Sequence, residues 1–295
     1  MTALKKTSGS HPDGKEEECR TVILAPNPAI FIQSMRYIGY TIKTALADII
    51  DNSITAEAGY ISVRFRWNNG NPWLAILDDG CGMSEDKLQE AMRFGGDLSP
   101  SDKRDADDLG RFGLGLKTAS LSQCRRLTVV SKQGGVTSAL RWDVDALVKN
   151  VSEWSAQIPN IVTLREDPEI VPLLDCLNVR VQGTLVLWQS IDGIVSDGNR
   201  VSEKHFSQTL EAAAKHVGEV FHRFIEPDRE CSCPTVAIDF NGRRLETISP
   251  FGNPETLARQ ELATEEITVW NEKIIVSPFI LPHYCKTSPA EYHQY

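Results

Sequence analysis

The sequence lacks a long hydrophobic run. Nowhere in its 295 residues do about 20 consecutive apolar side chains occur, the length needed to cross a bilayer. Residues 1–30, which carry Lys5, Lys6 and Glu16 to Glu18, contain no apolar stretch of the signal-peptide kind. No membrane partner is expected, and a cytoplasmic address is the default. Cysteine is present but has no framework: Cys19, Cys81, Cys124, Cys176, Cys231, Cys233 and Cys285 are an odd, scattered set, which predicts reduced thiols. Cys231-Ser232-Cys233 has neither a second pair at zinc spacing nor a nearby histidine, so a zinc site is not expected. Positive charge is also in deficit. Lys and Arg total 31 against 40 Asp and Glu, a formal net charge of −9, which argues against a chain-wide surface for nucleic acid. Arg125-Arg126 and Arg243-Arg244 are short enough to read as solvated surface.

What is there is a globular chain, 41% hydrophobic and long enough for one large domain with an appendage or for two modest ones. Residues 1–25 read as a disordered leader. From Thr41, a capping residue, Ile42, Ala45, Leu46, Ile49 and Ser53 recur at helical spacing. Asp48 and Asn52 flank that stripe four residues apart, so they project from one side of the helix. Ile61, Val63, Phe65 and Trp67 alternate with polar residues as a strand, and Trp73 to Leu77 returns as another. That second run ends in Asp78-Asp79-Gly80-Cys81-Gly82-Met83, after which Ser84 opens a helix reaching to about Phe94. Residues 97–109 hold almost nothing to bury and read as a mobile loop. They lead into Gly110-Arg111-Phe112-Gly113-Leu114-Gly115-Leu116-Lys117 and a helix through Ser122. Leu127 to Ser131 and Val136 to Trp142 read as a hairpin, and Val179 to Trp188 as a further strand. The pattern predicts an α+β, two-layer sandwich with a mixed, mostly antiparallel sheet and helices on one face. After residue 200, positions 203–226 form an amphipathic helix, and Pro234 to Phe240 with Asn241-Gly242 begins another hairpin.

Three clusters carry chemistry. Taken singly, each has an ordinary structural explanation: a solvated helix pair, a strand-to-helix turn, a bent loop. Together they make an anion site. Glycine-rich backbone entering a helix offers free N–H groups and the positive end of the helix dipole to phosphate oxygens, and Lys117 adds a point charge. The loop is neither a Walker A loop, because Leu116 separates Gly115 from Lys117, nor a dinucleotide fingerprint. A polyphosphate there requires a divalent cation, and magnesium takes few protein ligands and several waters, so Asn52 suffices as its protein oxygen. Asp48, one turn earlier, is then the candidate to orient or deprotonate a water. Asp78, an acceptor at a strand end, suits an exocyclic amine such as adenine's.

The segment from Asp48 to Ser53 resembles the N-box of the GHKL ATPases (gyrase, heat-shock chaperone, histidine kinase, MutL). The segment from Asp78 to Met83 resembles their Asp-x-Gly-x-Gly box, and Gly110 to Lys117 their second glycine box. Leu109 to Ser120 is similar to the MORC-like branch, and Gly183-Thr184 to Trp188 to the later Gly-Thr strand of many members. The resemblance spans residues 28–190 and implies a Bergerat-type fold. It implies that Asp78 contacts the adenine amine and that Asn52 coordinates Mg. Gly80, Gly82 and Met83 would line the base pocket, with Thr184 near the nucleotide. Gly110, Arg111, Phe112, Gly113, Leu114, Gly115, Leu116 and Lys117 would hold phosphates, and 97–112 would be the ATP lid. Most members have Glu where this sequence has Asp48. The implied division is 26–192 as ATP-binding domain and 200–295 as connecting helix and partial transducer-like domain, for whose lysine Lys273 and Lys286 are candidates.

The expected function is an ATP-driven switch: Mg-ATP binding, slow hydrolysis with Asp48 and Lys117 as catalytic residues, lid closure and ATP-dependent homodimerisation. DNA or a protein client would be engaged through other segments. Two alternatives remain: a nucleotide-binding module without turnover, and the motor fragment of a MutL- or topoisomerase-like DNA machine. None of the six histidines precedes the site in a helical-hairpin context, so a sensor-kinase role is not expected.

Overall fold

The computed structural model describes residues 22, 26–37, 39–95, 115–149, 154–194, 202–227, 234–247, 260–270 and 272–282, with the backbone of 6–9 and 17–20. Helix α1 (Pro28–Met35) starts on Asn27, whose side chain accepts from Ile30 N, with proline in its first turn. Helix α2 (Ile42–Thr55) starts on a reciprocal capping box between Thr41 and Thr44. Its predicted stripe is buried, joined by Ile50. Strands β1 (Tyr60–Arg66) and β2 (Trp73–Asp78) pair antiparallel, with Ile61 opposite Asp78. Helix α3 (Glu85–Met92) is capped by Ser84, and α4 (Gly115–Gln123) is buried from Lys117 onward. Strands β3 (Cys124–Gln133) and β4 (Val136–Asp143) form the expected hairpin around Gly134-Gly135. Both glycines have positive φ, as a two-residue turn of this hand demands.

Where the pattern predicts a strand from Val179, residues 179–182 are instead turn and bend, following two short helices, α5 (Ile161–Leu164) and α6 (Val171–Asn178). Strand β5 (Gly183–Ile191) begins only at Gly183. Val179 and Val181 are 84% and 85% exposed, so apolar composition alone mimicked a strand there. Helix α7 (Glu203–Val220) leads to β6 (Ala237–Phe240), which turns through Asn241-Gly242 into β7 (Arg243–Arg244).

The seven strands lie in the order β4-β3-β5-β2-β1-β6-β7, antiparallel throughout except for β1 beside β6. The expected α+β class, with its mixed and mostly antiparallel sheet, is therefore what the chain adopts. Alternation along the strands sorts two cores. Ile61, Val63, Leu74, Ile76, Val129, Val186 and Trp188 join α1, α2, α4 and α7 in the larger one. Ala75, Leu77, Val130, Leu185 and Leu187 meet α5 and α6 in the smaller. The main helical layer is thus on one face, as expected, and short helices additionally cover part of the other.

The expected division at residues 192–200 does not divide the core. Phe206, Leu210, Ala213, Val217, Val236, Ile238 and Phe240 belong to the same cluster as α2 and β1, and β6 extends the same sheet. The region up to 247 is bound to the first by a continuous apolar interior, which a change in sequence pattern does not reveal. The leader, read as disordered, contains a four-residue antiparallel pairing of Lys6–Gly9 with Glu17–Arg20. Among the described residues, no helix is long and apolar enough to cross a membrane. Cys81, Cys124 and Cys176 are free thiols.

Candidate functional site

Asp78 ends β2 in the interior, 4% exposed. An isolated carboxylate there would be costly, and its surroundings supply donors on both oxygens. Gly80 N and Thr184 N donate to Oδ1 at 3.0 and 3.1 Å, and Ser53 Oγ donates to Oδ2 at 3.0 Å. Burial still pushes the carboxyl up to about 6, with these three bonds and the nearby Arg180 charge opposing it. It is therefore a carboxylate at neutral pH, with room on its two oxygens for a further donor.

The turn after Asp78 is locked to its neighbours. Cys81 N donates to the Ala56 carbonyl at 2.8 Å, and Met83 N to Ser131 Oγ at 2.8 Å. Ser131 Oγ also lies 2.9 Å from Thr184 Oγ1, so β3 and β5 hold the loop through one hydroxyl pair. Gln133 Nε2 reaches the carbonyls of Cys81 and Gly82. Gly82 has φ +64°, and a Cβ there would sit 2.1 Å from the Lys132 carbonyl oxygen. Only glycine fits both demands. Gly80 and Gly82 are buried, and Met83 is half-buried.

One residue before Ser53, α2 presents Asn52, exposed, its side chain making no hydrogen bond to another described residue. A turn earlier lies Asp48, half-buried, one oxygen of which accepts from the Tyr40 hydroxyl at 2.7 Å. Gly115, where α4 begins, faces it: a Cβ on Gly115 would lie 4.0 Å from Asp48 Oδ2. Burial, and then the Asp48 charge, raise the carboxyl of half-buried Asp51. The helix thus carries an acidic edge beside an unengaged carboxamide. No trio of His, Cys, Asp or Glu among the described residues forms a metal cage. The donor chemistry fits a hard cation held by one amide oxygen, waters and a ligand's own oxygens.

Of the expected site residues, the structure brings together Asp78, Gly80, Gly82, Met83 and Thr184 at one end, and Asp48 and Gly115 at the other. Asn52 lies between them. Leu116 packs, half-buried, against the main core. Gly110, Arg111, Phe112, Gly113 and Leu114, with the expected lid, lie outside the described residues. Lys117, expected at the phosphates, is directed into the interior. It is 1% exposed, its ammonium donates to the Ala91 carbonyl at 2.6 Å, and it lies 5.9 Å from the centre of the Phe94 ring. The reason is helical geometry: two residues past Gly115 is about 200° around α4, so the lysine leaves from the side away from Asp48. Burial lowers its pKa to about 8. Ser131, Gln133 and Tyr40 support the candidate site although the motifs do not point to them, and the bond of Ser53 to Asp78 is not legible in the motif that contains it. For Ser131 a signal existed, a hydroxyl residue closing the largely apolar strand segment from Leu127.

Residues 40–168 match the family model described as histidine kinase-, DNA gyrase B-, and HSP90-like ATPase. That stretch of the chain is similar to the GHKL superfamily. Among curated relatives, the ATPase morc-1 of Caenorhabditis elegans is 31% identical over 110 residues. That alignment takes in 37% of this chain and 12% of the relative. The DNA mismatch repair protein MutL of Paramagnetospirillum magneticum is also 31% identical over 110 residues, 36% of this chain and 17% of the relative. The chain thus spans less than a fifth of either relative's length. The matched region contains Asp48, Asn52, Asp78 and Gly115, and ends before Thr184.

Proposed function

We propose that this chain binds Mg-ATP between α2, the Asp78–Met83 turn, the start of β5 and the N-terminus of α4, and hydrolyses it slowly. The observation that carries the proposal is the continuous arrangement along α2. Ser53 ties the helix to buried Asp78, while Asp48, five residues earlier, faces the first residue of the glycine-loop helix. Asp78 accepts from the adenine amine; Gly80, Gly82 and Met83 shape the base pocket, and Thr184 supports the aspartate. Gly110 to Leu114 and Gly115 offer backbone N–H groups to the phosphates. Asn52 would hold the magnesium, which when bound neutralises charge developing on the phosphate oxygens. In the hydrolytic step a water oxygen bonds to the γ-phosphorus and its proton passes to Asp48. The bond from that phosphorus to the bridging oxygen breaks, its electron pair leaving with ADP.

Closure of 97–112 and pairing of two such domains complete the reading, with ATP favouring the closed, paired state. A DNA or protein client would bind elsewhere, consistent with the acidic balance of this chain. Titration calorimetry of the wild-type chain with ATP is expected to show one site that requires magnesium, with slow phosphate release in parallel. Absence of Mg-dependent binding by folded protein would refute the proposal. Binding without Asp48-dependent phosphate release would reduce it to a nucleotide-binding module.

A further inference from the structure

Tyr40 stands two residues before α2 begins, yet its hydroxyl reaches back to Asp48 Oδ2 at 2.7 Å. Helix α4 pins it at both ends. Its carbonyl accepts from Gln123 Nε2 at 3.1 Å, and the Thr118 hydroxyl bonds to the phenol. Gln123 is 1% exposed, and Tyr40 itself packs against the main core. The phenol is therefore a fixed point, placed by the same helix whose first residue, Gly115, faces the Asp48 carboxylate. Burial, followed by the adjoining Asp48, holds the phenol above its ordinary pKa, so that it remains a donor at neutral pH.

A carboxylate on a short side chain samples several rotamers unless something selects one. A donor on one oxygen does so and leaves the other oxygen in a defined direction. Asp48 Oδ1 has no hydrogen bond to a described residue, so it is the oxygen left for a ligand. We propose that Tyr40 is a positioning residue for ATP hydrolysis: by holding Asp48 Oδ2, it fixes Oδ1 as the acceptor of the proton from the attacking water. This rests on the Mg-ATP hydrolysis reading above. Tyr40 gains and loses no proton in the step; the proton passes from water to Asp48 while the γ-phosphorus changes its oxygen partner.

The test uses the full chain and measures MgATP affinity by calorimetry and single-turnover phosphate release with γ-labelled ATP. Tyr40→Phe is expected to lower the rate about tenfold while affinity stays within about twofold. Unchanged affinity certifies that the variant is folded. In an Asp48→Asn background the same substitution is expected to add no further loss, because its effect passes through the carboxylate. A wild-type rate in Tyr40→Phe overturns the inference, as does a loss that multiplies with that of Asp48→Asn. If the unmutated chain shows no Asp48-dependent release, the hydrolysis reading and this inference fall together. If it does show such release and Tyr40→Phe keeps the full rate, this inference alone falls and the hydrolysis reading stands.

Discussion

The Asp78 end and the Asp48 end of the site are built to different degrees. Asp78 is buried and accepts three hydrogen bonds from α2, the following turn and β5. Its loop is held by Ser131 and Gln133 and by glycines no larger residue replaces. Asp48 is half-buried with a single described partner, and Asn52 is exposed with none for its side chain. The difference teaches a division of labour. The end proposed to recognise the base is rigid before ligand arrives, where discrimination needs fixed acceptors. The end proposed to hold phosphate and magnesium keeps oxygens uncommitted, because ligand and cation must supply the rest of the shell.

The comparison is broken most severely if the roles of the two aspartates are exchanged. Asp48→Asn is expected to cut phosphate release about 100- to 1,000-fold with affinity nearly unchanged, the size typical of a lost general base. Asp78→Ala is expected to do the reverse, weakening ATP binding about 100-fold in calorimetry by removing the acceptor and leaving buried donors unmatched.

Titration sharpens the contrast. The Asp78 carboxyl is raised from 3.8 to about 6, so the folded state takes its proton before the unfolded state does. Between those two pH values the folded chain binds more protons, and the slope of stability against pH is negative. This group therefore contributes stability to the ligand-free protein as pH falls from about 6 towards 4, by up to about 3 kcal/mol. ATP affinity is expected to fall over the same interval, because the protonated carboxyl no longer accepts freely from the amine. Opposite movements of melting temperature and affinity, each measured relative to Asp78→Asn, are the signature. Parallel movement would mean that Asp78 does not face the ligand.

The smallest expected effect on binding belongs to Lys117. With its ammonium on the Ala91 carbonyl beside Phe94, Lys117→Met is expected to change ATP affinity less than about threefold while lowering the melting temperature by a few degrees. A large loss of affinity without loss of stability would instead put the lysine on the phosphates.

Much of this was legible in the chain itself. The capped stripe from Ile42 to Ser53, the β3–β4 hairpin and the Asn241-Gly242 turn all rest on local rules, periodicity and turn chemistry, and all appear where those rules put them. Helices α5 and α6 were not legible, because their apolar residues serve a second, smaller core whose existence depends on the sheet already being formed. The Asp48, Asn52 and Asp78 clusters were legible as motifs. Their supports were not: Ser131 lies 48 residues beyond Met83 and 53 before Thr184, and it meets both only because β3 pairs with β5.

Sequence alone thus determined most element types, the α+β class and the residues proposed to bind a polyphosphate, since each depends on spacing within a few residues. Tertiary structure alone decided that the region up to 247 shares one core with the first, because parallel pairing of β1 with β6 joins segments about 180 residues apart. It alone decided that Lys117 turns inward and that Tyr40 meets Asp48. Both follow from how α4 lies against α2, and no local pattern encodes the angle at which two helices pack.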